Sequence, residues 1–142
     1  MKKADYLRTP AVLNKIAWYK DTQCIDGQLQ YTENGFILCS ANYYHYIEGH
    51  ESYKIDTGVT MKAHEPIVLM FNVAEESSYL RLKHSFLILP ANKSTEIKVE
   101  FINDTGEELS VHPGQELVYF VTLGTTTTEL FEVSKKRMEN IL

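Results

Sequence analysis

The feature that most constrains the fold is the alternation of apolar and polar residues between Glu96 and Leu123. Apolar side chains at every second position over 97–101 predict a strand with one face in a core. Alternation resumes over 109–111, after the turn signal Asn103-Asp104-Thr105-Gly106. A third run, 117–123, is apolar and aromatic enough to be predicted as buried on both faces. Three short strands joined by tight turns favour an antiparallel sandwich or barrel.

Further strands are predicted on the N-terminal side of this stretch. They cover 28–31, 36–41, 53–61, 67–73, 79–83 and 86–89. Gly58 lies inside the third of these and indicates a bulge or a close backbone approach. The segment Phe86–Leu89 is predicted as a buried run that ends at Pro90. The fold class is therefore all-β, an antiparallel jelly-roll-like or clip-type barrel.

The chain divides into an arm, one domain and a tail. Residues 1–26 are predicted to be an N-terminal arm or short helix, 27–133 a single β-barrel domain, and 134–142 a C-terminal tail. Thr9-Pro10 is typical of a helix start, and Leu13, Ile16 and Ala17 would then share one face of a helix ending near Lys20. A helix would close one end of the barrel, whereas an arm would dock on a neighbouring subunit. The sequence leaves both open.

Charge and composition limit the partners. The length of 142 residues favours one domain. The net charge of -5 repels the phosphate backbone of a nucleic acid at long range, so nucleic acid is excluded as a default partner. No stretch resembles an export signal or a membrane span, so we expect a protein that is cytoplasmic when made and has no membrane partner. Cys24 and Cys39 fit no zinc spacing, and both are predicted to be free thiols.

No motif for chemistry stands out. The five histidines lack metal-ligand spacing, and neither a nucleophile elbow nor a phosphate-binding loop occurs. We therefore predict no catalytic residue, no metal and no cofactor. Four tyrosines form a candidate interaction surface: Tyr43, Tyr44, Tyr46 and Tyr53. Tyrosine offers a large contact area with a polar tip, but the same residues would also serve as aromatics covering a barrel end.

A resemblance to a known family rests on four segments. They are Asn34-Gly35-Phe36-Ile37-Leu38-Cys39-Ser40-Ala41, Ile55-Asp56-Thr57-Gly58-Val59, residues 96–103, and Val111-His112-Pro113-Gly114-Gln115-Glu116-Leu117. From about Asn34 to Leu123 the chain resembles the deoxyuridine triphosphatase family and its β-clip relatives. The resemblance implies a small antiparallel β-barrel that associates as a homotrimer.

The chain departs from that family where the chemistry should be. Ile37 stands where the first motif has an aspartate, and Glu75 and Glu76 stand where the phosphate site needs a guanidinium. Glu116 and Tyr119 replace the arginine and glutamine of the fourth motif. Residues 90–95 lack the water-activating aspartate, and 132–142 contains no glycine for a closing arm. The resemblance therefore implies a catalytically degenerate member without the hydrolase activity.

These features predict a non-catalytic structural or interaction module. Its partners would be its own copies and another protein, such as the capsid protein of a bacteriophage or virus that it decorates within the virion. The alternative is a deoxynucleotide-binding or hydrolysing enzyme with non-standard site residues: Glu75, Glu76 and His84. A third interpretation is a regulatory protein that mimics a nucleotidase to capture a host factor.

Overall fold

Strands dominate the part of the chain that the structure describes. The structure is a computed structural model that describes residues 14–21, 27–32, 35–40, 42–123 and 128–140. Its strands are β1 (Asn14–Lys20), β2 (Gly27–Thr32), β3 (Gly35–Ser40), β4 (His45–Ile47), β5 (Ser52–Ala63), β6 (Ile67–Val73), β7 (Arg81–Leu82), β8 (Phe86–Leu89), β9 (Thr95–Ile102), β10 (Leu109–Val111), β11 (Glu116–Leu123) and β12 (Thr128–Glu132). A 3-10 helix (Glu75–Ser77) and a short helix α1 (Lys135–Met138) complete it. The all-β prediction is confirmed.

The strands form two five-stranded sheets and a small ribbon. The first sheet has the order β12-β1-β5-β9-β7, and the second has the order β2-β3-β11-β6-β8. Strands β4 and β10 pair with each other as a two-stranded ribbon. Neighbouring strands run antiparallel, except that β1 and β12 are parallel. One apolar core draws buried side chains from both sheets, among them Ile55 and Phe101 from the first and Leu38 and Leu117 from the second.

The predicted irregularity at Gly58 is present in β5. The pairing of β5 with β9 shifts register between Asp56 and Thr60, and Gly58 has a φ of 73°. Thr57 is fully buried in this bulge, where its hydroxyl donates a 2.7 Å hydrogen bond to the carbonyl of Ile97. The bulge thus aims a polar side chain inward and satisfies it there.

A helix was the wrong prediction for the stretch that reaches Lys20. Asn14–Lys20 is strand β1, which pairs with β5 on one side and β12 on the other. Ile16 and Ala17 are adjacent and both fully buried, because Ile16 packs in the main core and Ala17 packs under α1 against Met138. Burial on both faces of a strand produces the adjacent apolar residues that resemble a helix face. Thr9, Pro10, Leu13 and Cys24 lie outside the described residues.

Two strands are less buried than their sequences predicted. Phe86 and Ile88 of β8 are exposed, as are Val121 and Leu123 of β11. Both strands lie in the second sheet, whose inner face packs on the core while its outer face has no layer over it in the described residues. The prediction that 117–123 is buried on both faces was therefore wrong, and so was the prediction that Phe86–Leu89 is a buried run.

The predicted C-terminal tail begins with the short helix α1. Ser134 caps α1, and its hydroxyl accepts a hydrogen bond of 3.2 Å from the backbone N–H of Arg137. Within the described ranges, no helix has the length and apolar character needed to cross a membrane.

Candidate functional site

The segments that resemble the phosphate-binding motifs meet at the carboxyl end of β6. The 3-10 helix follows β6 directly, and the backbone N–H of Ala74 donates a 2.9 Å hydrogen bond to the carbonyl of Leu117 in β11. This contact sets the carboxylate of Glu76 against the first residue of β11, where it accepts a hydrogen bond from the backbone N–H of Glu116. The hydroxyl of Tyr119 donates to Oε2 of Glu116 at 2.6 Å. The carboxylates of Glu76 and Glu116 therefore share this end of the second sheet, which is called the acidic site below.

A buried hydrogen-bond network fixes the acidic site from below. Gln115 is 1% exposed, and its Nε2 donates to Oγ of Ser77 at 2.7 Å and to the hydroxyl oxygen of Tyr79 at 2.9 Å. Its Oε1 accepts from the backbone N–H of His112 at 3.1 Å. The Ser77 hydroxyl donates in turn to the carbonyl of Glu116. Every polar group in this network is satisfied, so it holds the 3-10 helix to β11 rather than awaiting a ligand.

The electrostatics of the site disfavour an anion. Burial, followed by the charges of Glu116 and Glu76, raises the pKa of the Cys39 thiol, which keeps it protonated and a poor nucleophile. The hydrogen bond to Glu116 is the main cause that raises the pKa of Tyr119, so its hydroxyl remains a donor. Carboxylates next to neutral groups repel a triphosphate, which binds instead to guanidinium and ammonium groups.

The residues of the alternative enzyme site do not form one constellation. Glu75 is exposed, Glu76 contacts β11, and His84 lies exposed between β7 and β8. No hydrogen bond or ion pair in the described part of the chain joins His84 to either glutamate. Across the same residues, no group of three or more His, Cys, Asp or Glu side chains is placed to hold a metal ion.

The segment that resembles the water-activating motif lies away from the acidic site. Leu89 pairs with Ile67 at the start of β6, and Asn92 donates a 2.7 Å backbone hydrogen bond to the carbonyl of Ala63. Residues 90–95 therefore lie at the amino end of β6, whereas the 3-10 helix follows its carboxyl end. A strand of this length separates the two by roughly 20 Å.

The four tyrosines of the candidate interaction surface fall into two groups. Tyr43 contacts the ring of His45 at 4.3 Å between centroids, and His45 contacts half-buried Tyr53 at 5.0 Å. Tyr44 and Tyr46 stack on each other with centroids 6.5 Å apart, and they are 59% and 64% exposed. The second group faces solvent, and Tyr43 of the first group is also exposed. A binding role for these four residues stays a prediction.

A second exposed feature is the outer face of the second sheet, here called the open face. Its apolar side chains are Ile37, Val68, Met70, Phe86, Ile88, Tyr119, Val121 and Leu123. The strand registers align them in two rows, one containing Val121, Met70 and Phe86 and the other Leu123, Val68 and Ile88. Sequence reasoning missed this face because an apolar residue at every position was interpreted as burial on both sides.

Sequence reasoning also missed two residues of the acidic site. Gln115 lies between the Pro113-Gly114 turn and an apolar strand. A polar residue at such a position indicates a side chain that hydrogen-bonds to the backbone of the turn, as Gln115 does with His112. Cys39 was predicted to be a strand residue, which the structure confirms, but its position beside Glu116 depends on the pairing of β3 with β11.

Comparisons with known proteins bear on the fold. No protein-family model matches the chain, and neither does any curated protein. Among solved structures, the native EIAV dUTPase superposes with a TM-score of 0.54 at 19% sequence identity. The match covers 76% of this chain and 87% of the EIAV chain. At that identity the likeness concerns architecture alone. The chain therefore has a dUTPase-like all-β fold.

Proposed function

We propose that this protein is a non-catalytic structural and interaction module that self-associates as a homotrimer through its open face. The observation that carries the proposal is the set of exposed apolar side chains on that face. Phe86 is 52% exposed, Ile88 55%, Val121 42% and Leu123 50%. Contiguous apolar patches of this kind mark interaction sites in proteins that are otherwise well packed.

The size of the patch is compatible with self-association. The exposed parts of these four side chains amount to roughly 350 Å², estimated from typical side-chain areas. When the three open faces meet at the trimer axis, covering that area contributes about 9 kcal/mol per copy at 25 cal/mol per Å². Adding one copy costs on the order of 4–15 kcal/mol, so the gain per copy is of the size that association needs. A flat apolar sheet face presented by every copy also suits a closed homo-oligomer.

The acidic site supports the non-catalytic part of the proposal. Glu76 and Glu116 occupy the positions at which a nucleotide triphosphatase of this fold would need cations, and Cys39 beside them is held protonated. Phosphate hydrolysis requires cationic or metal stabilisation of the charge that develops in the transition state.

We propose that the module binds to a larger assembly, namely the capsid surface of a virus or bacteriophage. The support is the combination of a complete strand framework with substituted site positions at Glu75, Glu76, Glu116 and Tyr119. Such a protein would be made in the cytoplasm and carried in the virion. Recovery of the protein from purified particles, and its loss from particles when the open face is altered, would support this setting.

Solution mass is the direct test of self-association. Sedimentation velocity of the intact chain should give three times the chain mass, and the double variant Val121→Lys with Phe86→Lys should give a single chain. The matched control, Ser94→Lys with Asn140→Lys, adds the same charge at exposed positions outside the open face and should remain trimeric. A monomeric wild type, or a double variant that stays trimeric, would contradict the proposal.

A further inference from the structure

The β4–β10 ribbon presents one fully exposed face of defined composition. In its register Ile47 faces Leu109, and Tyr46 faces Ser110. Alternation along the strands places the following residues on the outer face: Tyr44, Tyr46 and Glu48 from one strand, and Glu108, Ser110 and His112 from the other. All six are exposed, while the inner positions Ile47 and Val111 are buried. This set is called the ribbon face below.

The two ends of the ribbon face differ in chemistry. The stacked rings of Tyr44 and Tyr46 occupy one end. Continuing the register by one pair sets Glu48 opposite Glu108 at the other end. Like charges directly opposite each other on a sheet are destabilising. Neither carboxylate takes part in any of the ion pairs that the described residues form. The face therefore carries two unneutralised charges beside two exposed aromatic rings.

The backbone beneath the two carboxylates is held by hydrogen bonds between the loops that carry them. Asn103 is fully buried, and its Nδ2 donates to the carbonyls of Ile47, Glu48 and Glu107 at 2.9, 3.1 and 2.7 Å. The N–H of His50 donates to the carbonyl of Thr105 at 3.0 Å. These bonds tie the two loops at the acidic end to each other.

The two chain segments that form the ribbon face contribute no lysine or arginine side chain to it. Residues 42–51 and 103–112 include five carboxylates and no lysine or arginine. Of these carboxylates, Asp104 is paired with Arg81 at 2.6 Å. His45, His50 and His112 are the other titratable side chains in the two segments apart from the tyrosines. The two segments therefore bring an excess of negative charge to this part of the surface.

We propose that the ribbon face binds an extended basic segment of a partner protein, with one arginine over the tyrosine pair and a second between Glu48 and Glu108. This inference rests on the proposed role as an interaction module and names its class of partner. A guanidinium stacks on aromatic rings and also forms paired hydrogen bonds with carboxylates, so arginine fits both ends better than lysine. Residues two apart along a strand are separated by about 7 Å, which favours an Arg-x-Arg spacing.

Binding of short labelled peptides tests the proposal on the intact chain. Fluorescence anisotropy would compare an Arg-Ser-Arg peptide with matched Lys-Ser-Lys, Gln-Ser-Gln and Glu-Ser-Glu peptides. The arginine peptide should bind tightest, the lysine peptide more weakly, and the other two not measurably. High salt should weaken the binding, because the contact is between charges near solvent. Equal binding of the arginine and glutamine peptides would overturn the proposal.

Two double variants locate the binding. Tyr44→Ala with Tyr46→Ala, and Glu48→Gln with Glu108→Gln, should each lower the affinity for the arginine peptide by about tenfold. The control Glu129→Gln with Glu132→Gln removes the same charge from exposed positions of β12 and should leave the affinity unchanged. The Glu48→Gln, Glu108→Gln variant should be at least as resistant to urea as wild type, because it relieves repulsion. An equal loss of affinity in the control and the ribbon variants would overturn the proposal.

Sedimentation of the same samples separates this proposal from self-association. A monomeric chain that binds the arginine peptide through the ribbon face contradicts the proposed trimer and supports the basic partner. A trimer that binds no peptide, and that dissociates when Glu48 and Glu108 are substituted, shows that a second copy occupies the ribbon face. That result would overturn the basic partner and the assignment of the trimer contact to the open face, and it would leave a homotrimer standing.

Discussion

The backbone N–H of Glu116 donates a hydrogen bond to the carboxylate of Glu76, which joins the start of β11 to the 3-10 helix after β6. Because both side chains are acidic, this contact concentrates negative charge at the carboxyl end of β6. The same contact depends on the buried network of Gln115 underneath it.

Substitution of Gln115 should be strongly destabilising. Gln115→Leu would leave the N–H of His112 without its partner and remove the hydrogen bond to Ser77 inside the protein. Unsatisfied buried groups cost about 1–3 kcal/mol each, so we expect a loss of roughly 3 kcal/mol in the free energy of unfolding. Urea denaturation should show a lower midpoint with an unchanged slope. Gln30→Leu, at an exposed position of β2, is the control and should change the midpoint little.

Alanine substitution should lower the stability of the protein at Gly49 but not at Gly106, although both glycines lie at the end of the ribbon that carries Glu48 and Glu108. A Cβ at Gly49 would lie 2.6 Å from the backbone of Gly106, whereas a Cβ at Gly106 would lie no closer than 3.7 Å to another group. Gly49→Ala should therefore force the two loops apart and cost about 1–3 kcal/mol. Gly106→Ala should be nearly neutral, and thermal unfolding of the two variants would compare them. Equal melting temperatures would show that the loops do not meet as closely as described.

Stability should fall at alkaline pH. The pKa of Cys39 is raised in the folded state by burial and then by Glu116 and Glu76, so the folded protein holds a proton that the unfolded chain releases. The contribution is fully present below the ordinary thiol pKa of about 8.5 and is lost as the pH rises through the raised folded value. Urea denaturation across this range would measure it. Cys39→Ala removes the titrating group and should flatten the decline, although Tyr119 adds a similar trend at still higher pH.

Incubation with deoxynucleoside triphosphates and magnesium tests the enzyme alternative. We expect no phosphate release above that of a protein-free control, because Glu76 and Glu116 repel the substrate's phosphates. Phosphate release that disappears in Glu76→Gln and in His84→Ala would contradict the non-catalytic proposal and favour the alternative site.

The sequence was most informative where one face of a strand is buried and the other is solvated. In β9, buried Ile97 and Phe101 alternate with exposed Glu96 and Lys98, so the two-residue period of the sequence matches the burial in the structure. Gly58 also signalled the irregularity of β5 correctly. These features depend on local backbone geometry, which a few neighbouring residues determine.

In the segments that were predicted wrongly, the burial of each residue depends on which distant part of the chain packs against the strand. Ala17 is buried because α1 covers it, and Val121 is exposed because nothing in the described residues covers it, yet both lie in equally apolar runs. The candidate sites show the same limit. That Tyr44 and Tyr46 share a face follows from strand alternation, but Glu108 joins them only through the register of β4 with β10.

The parallel pairing of β1 with β12 has a consequence for the order of folding. Asn14 aligns with Thr128, so the first and last strands of the described chain are neighbours in one sheet. During synthesis on the ribosome, the edge of β1 that pairs with β12 stays uncovered until the residues up to Glu132 have been made. Closing so long a loop is slow. Until β12 is made, the edge of β1 is an uncovered strand edge that another chain can pair with.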